Sequence, residues 1–319
     1  MPCPRPTRRC VIAGLGALAF ASTAQAQAVP RIVATTGMIA DAAREISGLP
    51  VEGLMGPGID PHSWRATRTD IAALARADLI LWHGLGLEAQ LTDLMSDLSR
   101  RTSVVALAEA LPQDRLIAHP DYPGKFDPHV WMDAALWQGI DTPLVAALDA
   151  LMPDRAATHA ANAARWTESA RVVGAYATRV LASVPEDRRI LVTAHDAFAY
   201  FGRAHGWQVE GIQGISTDSE AGLSRIAELV TLLAERRIPA VFVESSVPER
   251  AMRALVEGAA ARGHQVVIGG ELFSDAMGAE GTYEGTWPGM IDHNATVIAR
   301  ALGGEAPARG MSGRLAAGA

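Results

Sequence analysis

Short apolar runs alternate along this chain with stretches whose apolar residues recur every three or four positions, the pattern of parallel strands joined by helices. Residues 31–37 and 51–55 read as strands around a helix over 38–47. Helices are predicted at 70–77 and 87–98, with strands at 79–82 and 104–107. The alternation then restarts. Strands are expected at 190–194, 208–212, 240–244 and 265–268, and helices at 197–205, 219–237, 249–262 and 287–302. Between the two series, residues 153–183 read as one long helix. Ala156, Ala160, Ala163, Thr167, Ala170, Gly174, Ala177 and Leu181 line a narrow stripe of small residues on it. Pro153 suits its first turn and Val184-Pro185 stops it. At ~1.5 Å per residue such a helix is about 45 Å long, enough to run along two lobes as a spine.

The expected fold class is therefore α/β: two lobes with parallel sheets covered on both faces, joined by a long backbone helix. The boundaries that follow are 27–150 for the first lobe, 151–184 for the helix, 185–303 for the second lobe, and 304–319 for a tail. The tail is rich in Gly and Ala from Gly303 onward and is expected to fray. In sheets of this kind, ligands bind outside the carboxyl ends of the strands, where the loops gather.

The 319 residues are 49% hydrophobic and 20% charged, enough apolar material for two cores of ordinary size. Residues 1–26 carry Arg5, Arg8 and Arg9, then an apolar stretch over 11–21, then Ala24-Gln25-Ala26. That order predicts a cleaved secretory signal and a periplasmic destination. Thr7-Arg8-Arg9-Cys10 also resembles a twin-arginine export signal, an alternative to the general secretory route. The apolar stretch is too short for a stable membrane helix. Both cysteines, Cys3 and Cys10, fall in the segment to be removed, so the mature chain has no thiol for a disulfide or a metal. Cys10 follows Arg9 instead of the small residues that lipid attachment requires, so a free soluble protein is expected. Loss of the three arginines takes the net charge from −7 to about −10, which disfavours nucleic acid as a partner.

The candidate chemistry lies in loops. Asp-Pro-His-x-Trp occurs twice, at 60–64 and 127–131, and in each copy proline stiffens the backbone that presents the imidazole of His62 or His129. His195 follows an apolar strand directly, and Asp275 lies in the loop after Gly269-Gly270. Three imidazoles and one carboxylate from four loop ends make a full ligand set for a divalent metal such as zinc. Asp60, Asp127, Asp196 and Glu244 are candidate acceptors for imidazole N–H groups. His83, His159, His205, His264 and His293 are read as structural. The glycine-rich stretch 278–289 lacks the strand-then-helix setting of a nucleotide loop.

These motifs occur in one order: Gly58-Ile-Asp-Pro-His62, Gly84-Leu-Gly-Leu-Glu88, Asp127-Pro-His129-Val-Trp-Met-Asp133, Thr193-Ala-His195-Asp-Ala-Phe-Ala-Tyr-Phe201, Val243-Glu-Ser-Ser246, Gly269-Gly-Glu-Leu-Phe-Ser-Asp275 and Gly281-Thr-Tyr-Glu-Gly-Thr286. In them the chain resembles the zinc and manganese solute-binding proteins of bacterial ABC importers, the TroA-like or cluster A-I family. The resemblance implies two Rossmann-like lobes on a rigid helix and one Zn2+ or Mn2+ per chain as transported ligand. It also implies delivery to a membrane permease by a protein that is not an enzyme, expected here as a monomer. By motif, the implied ligands are His62, His129, His195 and Asp275. Manganese-specific members commonly carry glutamate at the position of His195. Many zinc-specific members carry a histidine-rich loop where residues 118–125 hold only His119. The set resembles the branch associated with both metals, with zinc first. A secreted zinc hydrolase is the alternative, disfavoured because the chain lacks His-Glu-x-x-His and offers four protein ligands instead of three. Capture of a metal chelate or another small solute is a third reading, and it requires a larger cleft.

Overall fold

A computed structural model describes residues 29–120, 122–218 and 222–317. The export signal expected over 1–26, with Cys3 and Cys10, lies outside the described residues, as does Ser219, the predicted start of one helix. The described residues from Arg31 onward form one compact unit.

In the first half, β1 (Ile32–Ala34), β2 (Val51–Gly53), β3 (Leu79–Trp82) and β4 (Ser103–Ala106) form a parallel sheet in the order β2-β1-β3-β4. The central strands β1 and β3 are apolar without alternation because they are covered on both faces. Helix α1 (Gly37–Ser47) stops at Gly48, whose left-handed backbone (φ 64°) turns its N–H back to the Arg44 carbonyl. Helix α2 (Arg68–Ala75) starts in a capping box, Thr67 with Asp70. The helix predicted from Leu87 opens instead as a 3-10 turn, Ala89–Leu91, before α3 (Thr92–Leu98). Here Gly84, Leu85 and Gly86 all take positive φ. The Glu88 carboxylate folds back onto the N–H groups of His83 and Gly84 and the Thr35 hydroxyl, which holds the chain out of a regular helix.

Short helices α4 (Ala134–Trp137) and α5 (Asp141–Leu151) lead to the long helix α6 (Ala156–Leu181), entered through a 3-10 turn at Pro153–Arg155. At ~1.5 Å per residue α6 is about 39 Å long. The predicted stripe of small residues is only part of its contact face. Ala163, Ala170, Ala177 and Leu181 are buried, Ala160 is exposed, and Trp166, Val173, Tyr176 and Val180 are buried beside them. The buried arc is wide because α6 meets helices from both halves of the chain. Asn162 donates to the Ile46 carbonyl of α1 (2.9 Å), and Trp166 lies 5.9 Å from Trp287.

In the second half, β5 (Ile190–Thr193) pairs in parallel with β6 (Gln208–Gly211), and β7 (Ala240–Glu244) with β8 (Val267–Leu272). The two pairs are separate two-stranded sheets, but β5 lies beside β7, so the spatial order β6-β5-β7-β8 follows that of the first sheet. Helices α7 (Ala199–His205), α8 (Leu223–Arg236), α9 (Arg250–Ala261) and α10 (Trp287–Ala301) complete the layers. Strand β8 runs past the predicted stop at Gly269-Gly270, with a register shift opposite Val241 and Phe242. The two glycines serve packing: a Cβ on Gly269 would lie 2.7 Å from the Ala301 side chain, and one on Gly270 (φ 152°) 2.6 Å from that of Val297. They let α10 press onto the strand.

The tail is also corrected. The described part of 303–317 is tied down, with Gly304 N–H on the Ala299 carbonyl, Glu305 N–H on the Ser183 hydroxyl and Leu315 fully buried. A single apolar cluster runs through both halves, and a smaller one covers the other face of the first sheet. No described helix is long and apolar enough to cross a membrane. Replacing the buried Trp166 by Ala is expected to cost about 3–5 kcal/mol, as for other large core truncations. The check is a lower urea unfolding midpoint at unchanged slope.

Candidate metal centre

Four loop ends, two from each half of the chain, converge. After β2, Asp60 Oδ1 accepts the backbone N–H of His62 (2.9 Å), while Oδ2 accepts the hydroxyls of Ser63 (2.8 Å) and Thr217 (2.6 Å). In the second Asp-Pro-His copy the aspartate works differently. Asp127 Oδ1 accepts His129 N–H (2.9 Å) and also lies 2.7 Å from His129 Nδ1. The backbone of this loop is gripped from outside: Tyr200 donates to the Asp127 carbonyl (2.8 Å) and His83 Nε2 to the Pro128 carbonyl (2.7 Å).

His195 leaves the end of β5 and is fixed by Glu244 at the end of β7. Glu244 Oε1 accepts its N–H (2.9 Å), and Oε2 lies 2.5 Å from its Nδ1. Gly211 is required beside it, because a Cβ there would sit 2.6 Å from Asp196 N and 2.8 Å from the His195 carbonyl carbon. Asp275 follows β8 in a loop held by Asn294, which both accepts from and donates to the Phe273 backbone, and by the Trp131 indole, which donates to the Ser274 carbonyl (2.8 Å). That last bond joins the second Asp-Pro-His motif to the Asp275 loop.

The result is a dry cluster. His62, His129, His195 and Asp275 are at most 4% exposed, and one ligand atom from each lies within 4.8 Å of all the others. His62 Nε2 is 3.3 Å from His129 Nε2. The carboxylate of Asp275 is 3.7 Å from His62 Nε2, 3.3 Å from His129 Nε2 and 3.1 Å from His195 Nε2. Ligands ~2.1 Å from a tetrahedral centre stand about 3.4 Å apart, so this spacing fits one metal ion. Both Asp275 oxygens face the imidazoles and have no hydrogen-bond partner. A slot of about 30 Å3, lined in part by Met55, Ile59 and Met277, reaches Asp275.

Burial pulls every imidazole of the cluster towards neutrality, and the carboxylates decide the outcome. At His62 burial prevails and the ring is lowered to about 4, Asp275 opposing and the other two imidazoles assisting. At His129 burial is overcome by Asp127 and Asp275, which hold the ring at about 9. At His195, Glu244 and Asp275 likewise overcome burial and hold the ring well above the usual histidine range. Asp275, which burial alone would raise, is held well below the usual carboxylate range by His195 and His129. Burial and the paired carboxylates thus set the rings apart, His62 towards the neutral form and His129 and His195 towards the charged one.

Of the four predicted acceptors, Asp127 and Glu244 reach imidazoles. Asp60 instead holds its own loop, and the Asp196 N–H donates to the Gly214 carbonyl. The histidines read as structural stay out of the cluster. His159 pairs with Asp149, and His264 and His293 bond backbone carbonyls. His83 has a role that the sequence reading missed. Buried at the edge of Trp131 and stacked on Trp137, with its ring lowered to about 3 chiefly by burial, it supports the loop that carries His129. Glu88 and Tyr200 stood in quoted motifs without an assigned role, and only the packing of distant segments reveals one.

The sequence profile of the ZnuA family, described as zinc-uptake complex component A, periplasmic, matches residues 32–301. The manganese-binding lipoprotein MntA of Bacillus subtilis (strain 168) is 46% identical over 275 residues, 85% of this chain and 89% of MntA. FimA of Streptococcus parasanguinis, a metal ABC transporter substrate-binding lipoprotein, is 29% identical over 91% of this chain and 94% of its own. The solved structure of the periplasmic zinc-binding protein TroA from Treponema pallidum superposes with a TM-score of 0.83 at 44% identity, covering 86% of this chain and 99% of TroA. A profile match over most of the described chain, joined to likeness of this extent in sequence and in fold, means that the chain belongs to the ZnuA family of periplasmic zinc-uptake components.

Proposed function

We propose that this protein is an extracytoplasmic solute-binding protein that captures one divalent transition-metal ion with His62, His129, His195 and Asp275 and delivers it to the membrane permease of an ABC importer. It acts without catalysis, as a monomer, and has no nucleic-acid partner. In this reading residues 1–26 are a cleaved signal, exported by the general or the twin-arginine route, and the mature protein is free in the periplasm. Residues 27–150 and 185–303 are its two lobes, with 151–184 as the helix that joins them.

One observation carries the proposal: four buried side chains from both halves bring ligand atoms within 4.8 Å of one another, two of the imidazoles backed by Asp127 and Glu244. Four protein ligands argue against the hydrolase alternative, because hydrolytic zinc normally keeps one position open for water. The slot of about 30 Å3 suits an ion and not a chelate.

Zinc is the favoured cargo and manganese the second candidate. Three nitrogens and one oxygen bind zinc more tightly in the general order of divalent affinities. Manganese gains a route because both Asp275 oxygens face inward, so bidentate ligation can raise the coordination number. The names of the relatives divide in the same way, MntA being manganese-binding and TroA zinc-binding.

Elemental analysis of the exported protein, equilibrated with equal free zinc and manganese, is expected to find about one equivalent of zinc. A chain that retains no metal would overturn the site. His195→Ala is expected to lose at least ~10- to 100-fold in zinc affinity by competition titration, since even residues that only support a ligand have effects of this size. Affinity is also expected to fall with pH. His129, held at about 9, and His195, raised well above the usual histidine range, are both protonated at pH 7, so each requires one proton to leave when the metal binds. Between pH 8 and 6 the loss should be at least ~10-fold per pH unit from the proton on His129, and steeper where His195 also gives one up, with proton release measurable by calorimetry in buffers of different ionisation enthalpy. A flat profile would contradict the histidine site.

A further inference from the structure

The segment after α10 lies almost wholly beyond the residues that the family profile matches, yet it is built onto the loop next to Asp275. Its anchor is Asp292, fully buried in α10. Met311 N–H reaches both carboxylate oxygens (3.0 Å each), and the hydroxyls of Tyr283 (3.1 Å) and Thr296 (3.2 Å) donate to the same group. Tyr283 belongs to the loop between Met277 and Trp287, and the Arg314 guanidinium lies 4.3 Å above its ring. Ala316 N–H donates to Glu284 of that loop (2.6 Å). Gly310 makes the approach feasible. It has φ 70°, and a Cβ there would fall 2.5 Å from the Asp292 carboxylate and 2.6 Å from the buried Leu315 side chain.

The loop so held closes on itself and adjoins the ligand set. Gly278 N–H donates to the Glu284 carbonyl (2.8 Å), and a Cβ on Gly285 would lie 2.2 Å from the Ala279 carbonyl oxygen, so the two ends of the turn touch. Met277, Gly278, Glu280 and Gly285 line one wall of the slot that reaches Asp275, with Gly37, Met55 and Pro57 also lining it. Arg44 of α1 pairs with Glu280 at 4.0 Å. Movement of Tyr283 and Glu284 away from the body would therefore carry that wall with it.

We infer that residues 303–317 form a clasp that holds the 278–286 loop against the slot and sets how fast an ion leaves past Asp275, an inference that rests on the metal-site reading above. The clasp acts on rate. It supplies no ligand.

The test compares the full chain with a chain shortened after Ala306 and with Leu315→Ala. Each is loaded with one equivalent of zinc and mixed with excess colorimetric chelator in a stopped-flow instrument. Stoichiometry is measured separately by elemental analysis. The shortened chain is expected to keep one zinc and to release it roughly tenfold faster, with a smaller increase for Leu315→Ala and faster hydrogen exchange at the Gly278 and Thr286 amides. Release within about twofold of the full chain in both folded variants would overturn the clasp while leaving the site intact. Loss of cooperative unfolding in both variants would also overturn it, by making the segment a general structural brace. A full chain that binds no zinc would mean that the site reading itself had failed, and the clasp with it.

Discussion

Asp275 keeps a carboxylate almost out of water among three imidazoles, and a buried charge is tolerable only when it is paired and the groups around it are hydrogen-bonded in turn. The surrounding structure supplies those conditions from several directions. Asp127 and Glu244 stand behind His129 and His195. Tyr200 and His83 grip the backbone of the Asp127 loop, and the Trp131 indole ties that loop to the one carrying Asp275. Trp287 then donates from its ring to the Trp131 carbonyl and from its backbone to Asp41 of α1. The cluster thus requires both sheets and α10 to be in place together, which a single apolar core through both halves provides.

Much of this was legible in the sequence because it rests on local rules. Alternating apolar runs located the strands, Pro153 and Val184-Pro185 bracketed the long helix, and the loops after the strands held the residues that converge. What escaped depends on distant segments. Gly269-Gly270 looks like a strand stop until α10 is seen packed on it. The stripe on α6 looks narrow until its contacts with α1 and α10 are both counted in, and large residues such as Trp166 and Tyr176 then join the face. The tail looks free because nothing in its own composition reveals the buried Asp292 that needs its N–H groups.

The repeated pentapeptide shows the limit most clearly. Asp60 and Asp127 share the Asp-Pro-His-x-Trp motif, yet only Asp127 reaches the imidazole that follows it. Part of the difference lies at the variable position, where Ser63 donates to Asp60 and the side chain of Val130 has no donor to offer, and the rest comes from outside the motif. Thr217 draws one oxygen of Asp60, while the loop of Asp127 is fixed through its backbone by Tyr200 and His83. One shared motif therefore gave two different environments, one anchoring a turn and the other raising the basicity of a ring.

The bond from the Trp131 indole to the Ser274 carbonyl has a mechanical consequence. Trp131 lies in the first half of the chain and Ser274 in the second, so the two halves cannot part at the cluster without breaking the buried bond between them. Parting them would strand an indole N–H and a carbonyl unless water followed them in. Any opening there is therefore also a wetting of the seam.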